Sequence, residues 1–526
     1  MGNVLDRRSF LKGAALTATA ASAFAIVGCS GNNEEVDQIA WDEEYDVVVV
    51  GAGFAGLSSA LTVATEGDGA TCLLLEKDPV PSGNSPMSMG MTLFTDTPDT
   101  LFEYVKKLAD SSTPDDVLRA YVDGLAENYS WIRAMGADEG DLYVAPPSPA
   151  AGAEYPEMNI GESYSMFMFT GMAGGAQHGH IFLLDAIQKH ADTITYKPST
   201  AMEALILDNA TKTVLGVVAG GKHYKATRGV IMCCGGFEND AEMLETYHGM
   251  RGVQPYASKS NTGDGHRACL AAGAKEWHMT NGALYWMAAR NLQNTSFMST
   301  VWHFSTKEFG ITVGVNGRRF YQDWDGCAVP NPMAGTPYAM PGDNLALGVG
   351  YRHGLCQFGG RWTHLPFPEK AWFIFDADAL AAGAIPAEVS SDPVADGWAY
   401  AADSIEELAQ KIDVPVDELV RTVNTWNGFC EQGQDLAFYR PAQSLNPVAQ
   451  GPFYAMLCVP AMLNTDGGPV RSAKGEIIDT LGKPIPHLYS AGEFGSVWGN
   501  LYQGAGNVGE CMAFGRISAR TALANI

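Results

Sequence analysis

The sequence predicts an α/β fold, a Rossmann-type core with a β-meander, interrupted by an inserted α+β unit. Three observations carry this prediction. The β-branched run 45–50 meets a glycine turn, Gly51-Ala52-Gly53-Phe54-Ala55-Gly56, and then the helix-forming stretch 57–65. Short β-rich runs at 205–208, 214–218 and 229–233 follow one another with turns between them. From about residue 275 to 450 the texture changes to aromatic-rich stretches, loops with Pro330, Pro332, Pro337 and Pro341, and an amphipathic segment at 404–426.

The N-terminus comes first in order. Asp6-Arg7-Arg8-Ser9-Phe10-Leu11-Lys12 precedes a weakly polar run, 14–27, too short for a membrane span of about 20 residues. The paired arginines resemble a twin-arginine export signal, and Ile26-Val27-Gly28-Cys29 resembles a lipoprotein cleavage box ending in the cysteine to be acylated. Residues 1–28 are therefore expected to be a signal, and 29–43, polar and acidic, a tether from a lipid anchor on Cys29. Export of a folded chain suits a protein that takes up a bulky ligand before translocation.

In the glycine turn, Gly51 permits the tight bend, Gly53 lets a pyrophosphate approach the backbone, and Gly56 packs helix on strand. The next apolar strand, 72–75, ends on Glu76, twenty residues after Gly56, where an acid accepts hydrogen bonds from an adenosine ribose. Strand, turn, helix and distant acid together point to dinucleotide binding. The expected domains are 44–274 for the first part of the dinucleotide-binding domain, 275–450 for a capping domain and 451–526 for the second part.

Composition narrows the function classes. Of 526 residues, 46% are hydrophobic and 17% charged, which excludes wholesale disorder. With 59 acidic and 33 basic residues the net charge is −26, which repels nucleic acid at long range. The 59 glycines exceed the roughly 37 expected at ~7% usage, and they cluster in short motifs, as close approach to a large ligand requires. The ten cysteines form no CxxC, CxxCH or spaced Cys/His quartet, so no metal site is expected.

The glycine turn, Gly83-Asn84-Ser85, Gly235-Gly236-Phe237 with Asn239, Thr262-Gly263-Asp264-Gly265, Asn316-Gly317-Arg318-Arg319-Phe320, Gly467-Gly468-Pro469 and Leu488-Tyr489-Ser490-Ala491-Gly492-Glu493 stand in this order over 44–526. Together they resemble the FAD-binding family of fumarate reductase and succinate dehydrogenase flavoproteins, urocanate reductases and 3-oxosteroid Δ1-dehydrogenases. The resemblance implies a two-domain flavoenzyme with the isoalloxazine at the interface of the FAD-binding and capping domains. It implies FAD contacts from Gly51, Gly53, Ala55, Gly56, Glu76, Lys77, Gly83, Asn84, Ser85, Gly236 and Asp264. Glu493 would bind the ribityl chain, and Asn507 and Val508 would face the flavin pyrimidine. No histidine precedes His178, so the FAD is expected to be non-covalent.

Departures from the family pattern bear on substrate. The family's catalytic arginine falls near Cys327, its substrate-binding histidine near Tyr285 or Trp286, and its carboxylate-gripping arginine within 501–506, which holds none. A small dicarboxylate lacks its anchors. Tyr502 and Gly506 resemble the steroid-dehydrogenase branch, in which a phenol and a backbone N–H stabilise the charge that develops on an enone oxygen. A second proton-transfer group is sought among Tyr285, Asp325 and Tyr164. The aromatics Tyr164, Phe167, Phe169, Tyr285, Trp286, Phe297, Trp302 and Phe304 suit a flat apolar substrate.

The chain has no haem or iron-sulfur spacing, so electrons are expected from a separate protein or carrier at the membrane. The function expected is an exported, lipid-anchored ene-reductase acting on a C=C bond conjugated to a carbonyl in a steroid-like or aromatic molecule. The alternatives are a 3-oxosteroid dehydrogenase running in the oxidative direction, a fumarate- or urocanate-type reductase, and a non-enzymatic FAD-binding electron-transfer lipoprotein.

Overall fold

The computed structural model describes residues 39–525, apart from 89, 148–154, 156–157, 159–160, 171–174, 257, 295–297, 301–308, 321–368, 386–388 and 441. The signal, Cys29, Asp325, Cys327, Phe297, Trp302 and Phe304 lie outside the described residues.

Strand β1 (Glu43–Val50) carries Val47-Val48-Val49-Val50, buried on both faces as a central parallel strand requires. Each such side chain contributes about 1.5–3 kcal/mol on burial. Helix α1 (Phe54–Glu66) follows the glycine turn, and β2 (Cys72–Leu75), the strand read from the sequence, pairs parallel with β1. The helices α2 (Pro98–Ala109), α3 (Asp115–Ala134) and α4 (Gly175–Lys189) have no counterpart in the sequence reading. Strand β3 (Ile194–Lys197) then extends the parallel sheet beyond β2.

The predicted meander is β4 (Met202–Leu207), β5 (Val214–Ala219) and β6 (Lys222–Met232), paired antiparallel in sequence order. The long β6 returns to lie parallel to β1 on its other side. A short helix, α5 (Asp264–Ala271), starts at the Thr262–Gly265 motif.

A second sheet is built from β7 (Gly282–Arg290), β8 (Gly310–Gly314), β9 (Ala371–Phe375), β10 (Ala399–Ala402) and β11 (Phe453–Thr465), with β11 paired antiparallel to β7, β9 and β10. Helix α6 (Val416–Gln432) packs on it through Leu419, Val423 and Trp426, spaced to share one face, against Ile311, Val313, Trp372 and Ile374. The strand 453–465 therefore pairs with the capping sheet, although it follows the boundary at 451 drawn from the sequence. Its pairing partners lie as far as 183 residues earlier, at Gly282, a relation no local pattern carries.

From β11 the chain passes through Gly467-Gly468 back to the first sheet, where β12 (Pro484–Ser490) pairs parallel with β6. The C-terminal α7 (Gly506–Leu523) packs along α1 and α3. The first sheet's strands β1, β2, β6 and β12 thus point their carboxyl ends toward one cleft, the location at which open parallel sheets bind ligands.

Candidate active site

The cleft is lined by residues 50–55, 75–77, 82–85, 200–202, 233–235, 260–262 and 264–265, with Ala491, Glu493 and Cys511. Gly51 has φ of +104°, and a Cβ there would run into the Cys233 carbonyl. A Cβ on Gly56 would strike the Gly51 carbonyl, so the α1 N-terminus sits directly on the turn. Ser85 Oγ accepts from the Phe54 N–H at 2.9 Å, tying the Gly83–Ser85 segment to that helix end. His180 holds the turn from beneath, its Nε2 3.0 Å from the Ala52 carbonyl.

Glu76 accepts from the Ala52 N–H at 3.0 Å and the Asp78 N–H at 2.9 Å. Burial raises its pKa above the ordinary value, and the two backbone donors act against that rise. Lys77 Nζ bridges Asp264 at 2.8 Å and Thr262 Oγ1 at 2.9 Å at the cleft mouth. The cysteines of the wall are neutral thiols, with burial pushing Cys233 up to about 12.

Farther in, Asn84 Nδ2 donates to Glu238, to the Leu463 carbonyl at 2.9 Å and to Glu493 Oε2 at 3.2 Å. Glu493 Oε1 accepts from the Thr465 N–H at 3.2 Å, so the wall is joined to the end of β11. Gly236 lies behind this group rather than in the cleft lining; a Cβ there would collide with Thr465 Oγ1, Glu493 Oε1 and Glu238 Oε2. Glu238, Asn261, Ser260 and Ser82 belong to this region and were missed by sequence reasoning. They are ordinary polar residues whose only signal is adjacency to a glycine motif.

At the α7 N-terminus, the Asn507 N–H donates to the Tyr502 hydroxyl at 3.4 Å. Tyr502 is buried against Trp498, edge to face at 5.4 Å, and Trp498 meets Tyr121 in the same way. Tyr104 donates to Gln503 at 2.8 Å and stacks on Tyr164. The Gly506 N–H, assigned to a substrate ketone from the sequence, donates instead to the Gln503 carbonyl at 3.0 Å, because Ala505 at φ +70° closes the segment into a tight turn. Asn507 Nδ2 turns to Asp466 at 3.4 Å, and Val508 is half-buried against the apolar core. Gly56, Asn507, Val508, Tyr502 and Gly506 do not line the cleft. Tyr285 lies in β7, paired with Ala461, and its side chain is outside the described residues.

The cradle fits an extended dinucleotide. Glycines at 51, 53 and 56 let the turn pack against Cys233, Ser85 and the start of α1, a helix N-terminus meets it, and a buried acid stands at the end of β2.

Residues 46–508 match the FAD binding domain family. The chain is 27% identical to a vinyl phenol reductase of Lactiplantibacillus plantarum, over 92% of this chain and 96% of that one. It is 27% identical to a digoxin reductase of Eggerthella lenta, over 99% and 97%. The fold resembles the crystal structure of a 3-ketosteroid Δ1-dehydrogenase from Sterolibacterium denitrificans, with a TM-score of 0.71 and 20% identity over 92% of this chain and 100% of that one. The cradle, the chain-long match and the related reductases converge, and the chain belongs to the FAD binding domain family as an FAD-dependent oxidoreductase acting on a small molecule.

Proposed function

We propose that the protein reduces a carbon–carbon double bond conjugated to a carbonyl or an aromatic ring in a flat, apolar molecule, drawing electrons from a separate donor. The observation that carries this reading is the setting of Tyr502. Its hydroxyl accepts from a helix N-terminal amide and its ring meets Trp498, which in turn meets Tyr121, while the adjacent Gln503 accepts from Tyr104; these residues are aromatic or uncharged. A dicarboxylate calls for guanidinium groups at this end. The buried Arg471 and Arg516 are committed elsewhere, to the Gly492 and Phe494 carbonyls with Glu510, and to the Gly124 carbonyl with Asn128.

Bound FAD supplies hydride exchange at a carbon β to an electron-withdrawing group. The chain's own residues divide the remaining work. The glycine turn and Glu76 hold the adenosine end, and Asn84 and Glu493 face the middle of the cleft. The Asn507 N–H, by donating to the Tyr502 oxygen, makes the phenolic proton a better donor toward charge developing on a substrate oxygen. A buried aromatic wall excludes water from that position.

The relatives named above as reductases over nearly the whole chain support the reductive direction. Non-covalent FAD, export by the twin-arginine route, a lipid anchor at Cys29 and an electron donor at the membrane complete the proposal. They are supported by the N-terminal sequence pattern and the lack of a histidine before His178. An anaerobic panel tests it, with reduced viologen and purified protein offered fumarate, urocanate, cinnamates, vinyl phenols and 3-oxo-4-ene steroids. Turnover on a conjugated aromatic or steroid and none on fumarate is expected; turnover on fumarate alone overturns the reading.

A further inference from the structure

Four carboxyls are buried where β11 passes back to the first sheet. Glu238, Glu493, Asp466 and Glu510 are each less than a tenth exposed. Arg471 meets Glu510 at 3.3 Å, and the other three acids are met mainly by amides. Asn84 reaches Glu238 and Glu493, Asn261 reaches Glu238, and Asn281, Asn464 and Asn507 reach Asp466. An amide satisfies an oxygen without neutralising a charge.

Within this group the pair nearest the cleft has a specific defect. Glu238 Oε1 accepts from both Asn84 and Asn261. Glu238 Oε2, fully buried, has no donor among the described residues. It and Glu493 Oε1 both crowd the point that a Cβ on Gly236 would occupy. Two carboxylate oxygens in such proximity repel unless a proton lies between them, as in a carboxyl dyad.

We propose that Glu238 is a positioning residue for the cofactor cleft: it shares one proton with Glu493 across Gly236, and this proton fixes the Glu493 carboxyl, together with Asn84, as one unit in the cleft wall. Glu493 lines the cleft and Glu238 stands behind it, so Glu238 acts through Glu493. Gly236 is required because any side chain there would part the two acids.

The electrostatics agree. Burial raises both Glu238 and Glu493 above the ordinary carboxyl range, and for Glu493 the neighbouring Glu238 and Asp466 add to the rise. The groups facing the pair are Asn84, Asn261, the Thr465 N–H, Asp466 and the Cys511 thiol, with the Glu510–Arg471 pair beyond Asp466. A raised folded-state pKa means that, in the window above the ordinary carboxyl value of about 4.5, the folded chain keeps a proton the unfolded chain has released. Stability contributed by the pair is therefore present at the acid end of that window and is lost as pH rises through it.

Glu238→Gln places an amide N–H where the shared proton lies and keeps an oxygen for Asn84 and Asn261. The holoenzyme and this variant are compared by thermal unfolding from about pH 5 to about pH 8 and by infrared difference spectroscopy in light and heavy water. The variant is expected to keep its flavin and to lose less stability than the parent over this range. The difference spectrum should show one carboxylic acid C=O band, sensitive to deuterium, present only in the parent. Parallel pH profiles or an unchanged acid band overturn the proposal, as does loss of flavin at every pH. Where Glu238→Gln does not fold, Glu493→Gln approaches the pair from the other side and must remove the same band. The inference rests only on the cleft taking FAD, and flavin per chain in the parent reports on that separately.

Discussion

The two ends of the cleft are held by different kinds of interaction. At the end nearest the glycine turn, neighbours in sequence do the holding: β1, the glycine turn, α1 and β2 form one unit, and Glu76 closes it on the Ala52 and Asp78 amides. At the other end, behind Asn84 and Glu493, residues including Glu238, Asn281, Thr465 and Asn507 converge on buried carboxyls from distant parts of the chain. The first arrangement depends on backbone conformation, the second on charge placement in a low dielectric. The difference teaches where single substitutions should be costly and how pH should matter.

The contrast is sharpest between two arginines. Arg471 is fully buried, donates to the Gly492 and Phe494 carbonyls, lies over Phe514 and meets Glu510 at 3.3 Å. Arg471→Ala leaves Glu510 uncompensated and should cost about 3–5 kcal/mol in chemical unfolding. Burial, opposed chiefly by Arg471, holds Glu510 at about 7. Removing the cation raises it further, so the deficit should widen as pH rises from about 5 to about 8. A loss that does not depend on pH would mean that Arg471 acts by packing alone.

Tyr502→Phe comes next and separates chemistry from stability. It removes one donor while leaving the ring against Trp498, so kcat per bound flavin should fall roughly 10²- to 10³-fold with flavin content and Tm little changed. A drop in flavin content with near-normal turnover would move Tyr502 into a packing role.

The smallest effect is expected at Arg520, which bridges Glu66 and Glu127 near the surface. Arg520→Ala should cost no more than about 1 kcal/mol, and raised salt should erase most of the difference. A cost matching that of Arg471→Ala would break the distinction between charges buried behind the cleft and charges at the surface.

The same comparison explains what was legible in the sequence. The turn at Gly51–Gly56, strand Cys72–Leu75 and Glu76 were readable because each is specified within about thirty residues by periodicity and glycine placement. The β-meander was readable for the same reason. Strand Phe453–Thr465 was not assigned to the capping sheet, since its partners lie far back in the chain. Glu238 and Asn261 carry no spacing signature; only the fold brings them to Asn84. The hydrogen bond from the Gly506 amide to the Gln503 carbonyl was not legible, because the left-handed turn at Ala505 that allows it is a conformation that alanine seldom signals.

Whether the Tyr502 hydroxyl polarises a conjugated apolar acceptor is decided by a single-turnover measurement. Flavin is reduced anaerobically, mixed rapidly with an aromatic or steroidal enone or with fumarate, and its reoxidation is followed by absorbance. Reoxidation by the enone should be fast and slowed by the Tyr502→Phe substitution, with none by fumarate. Rapid reoxidation by fumarate, or a rate with the enone that is indifferent to Tyr502→Phe, would contradict that polarisation.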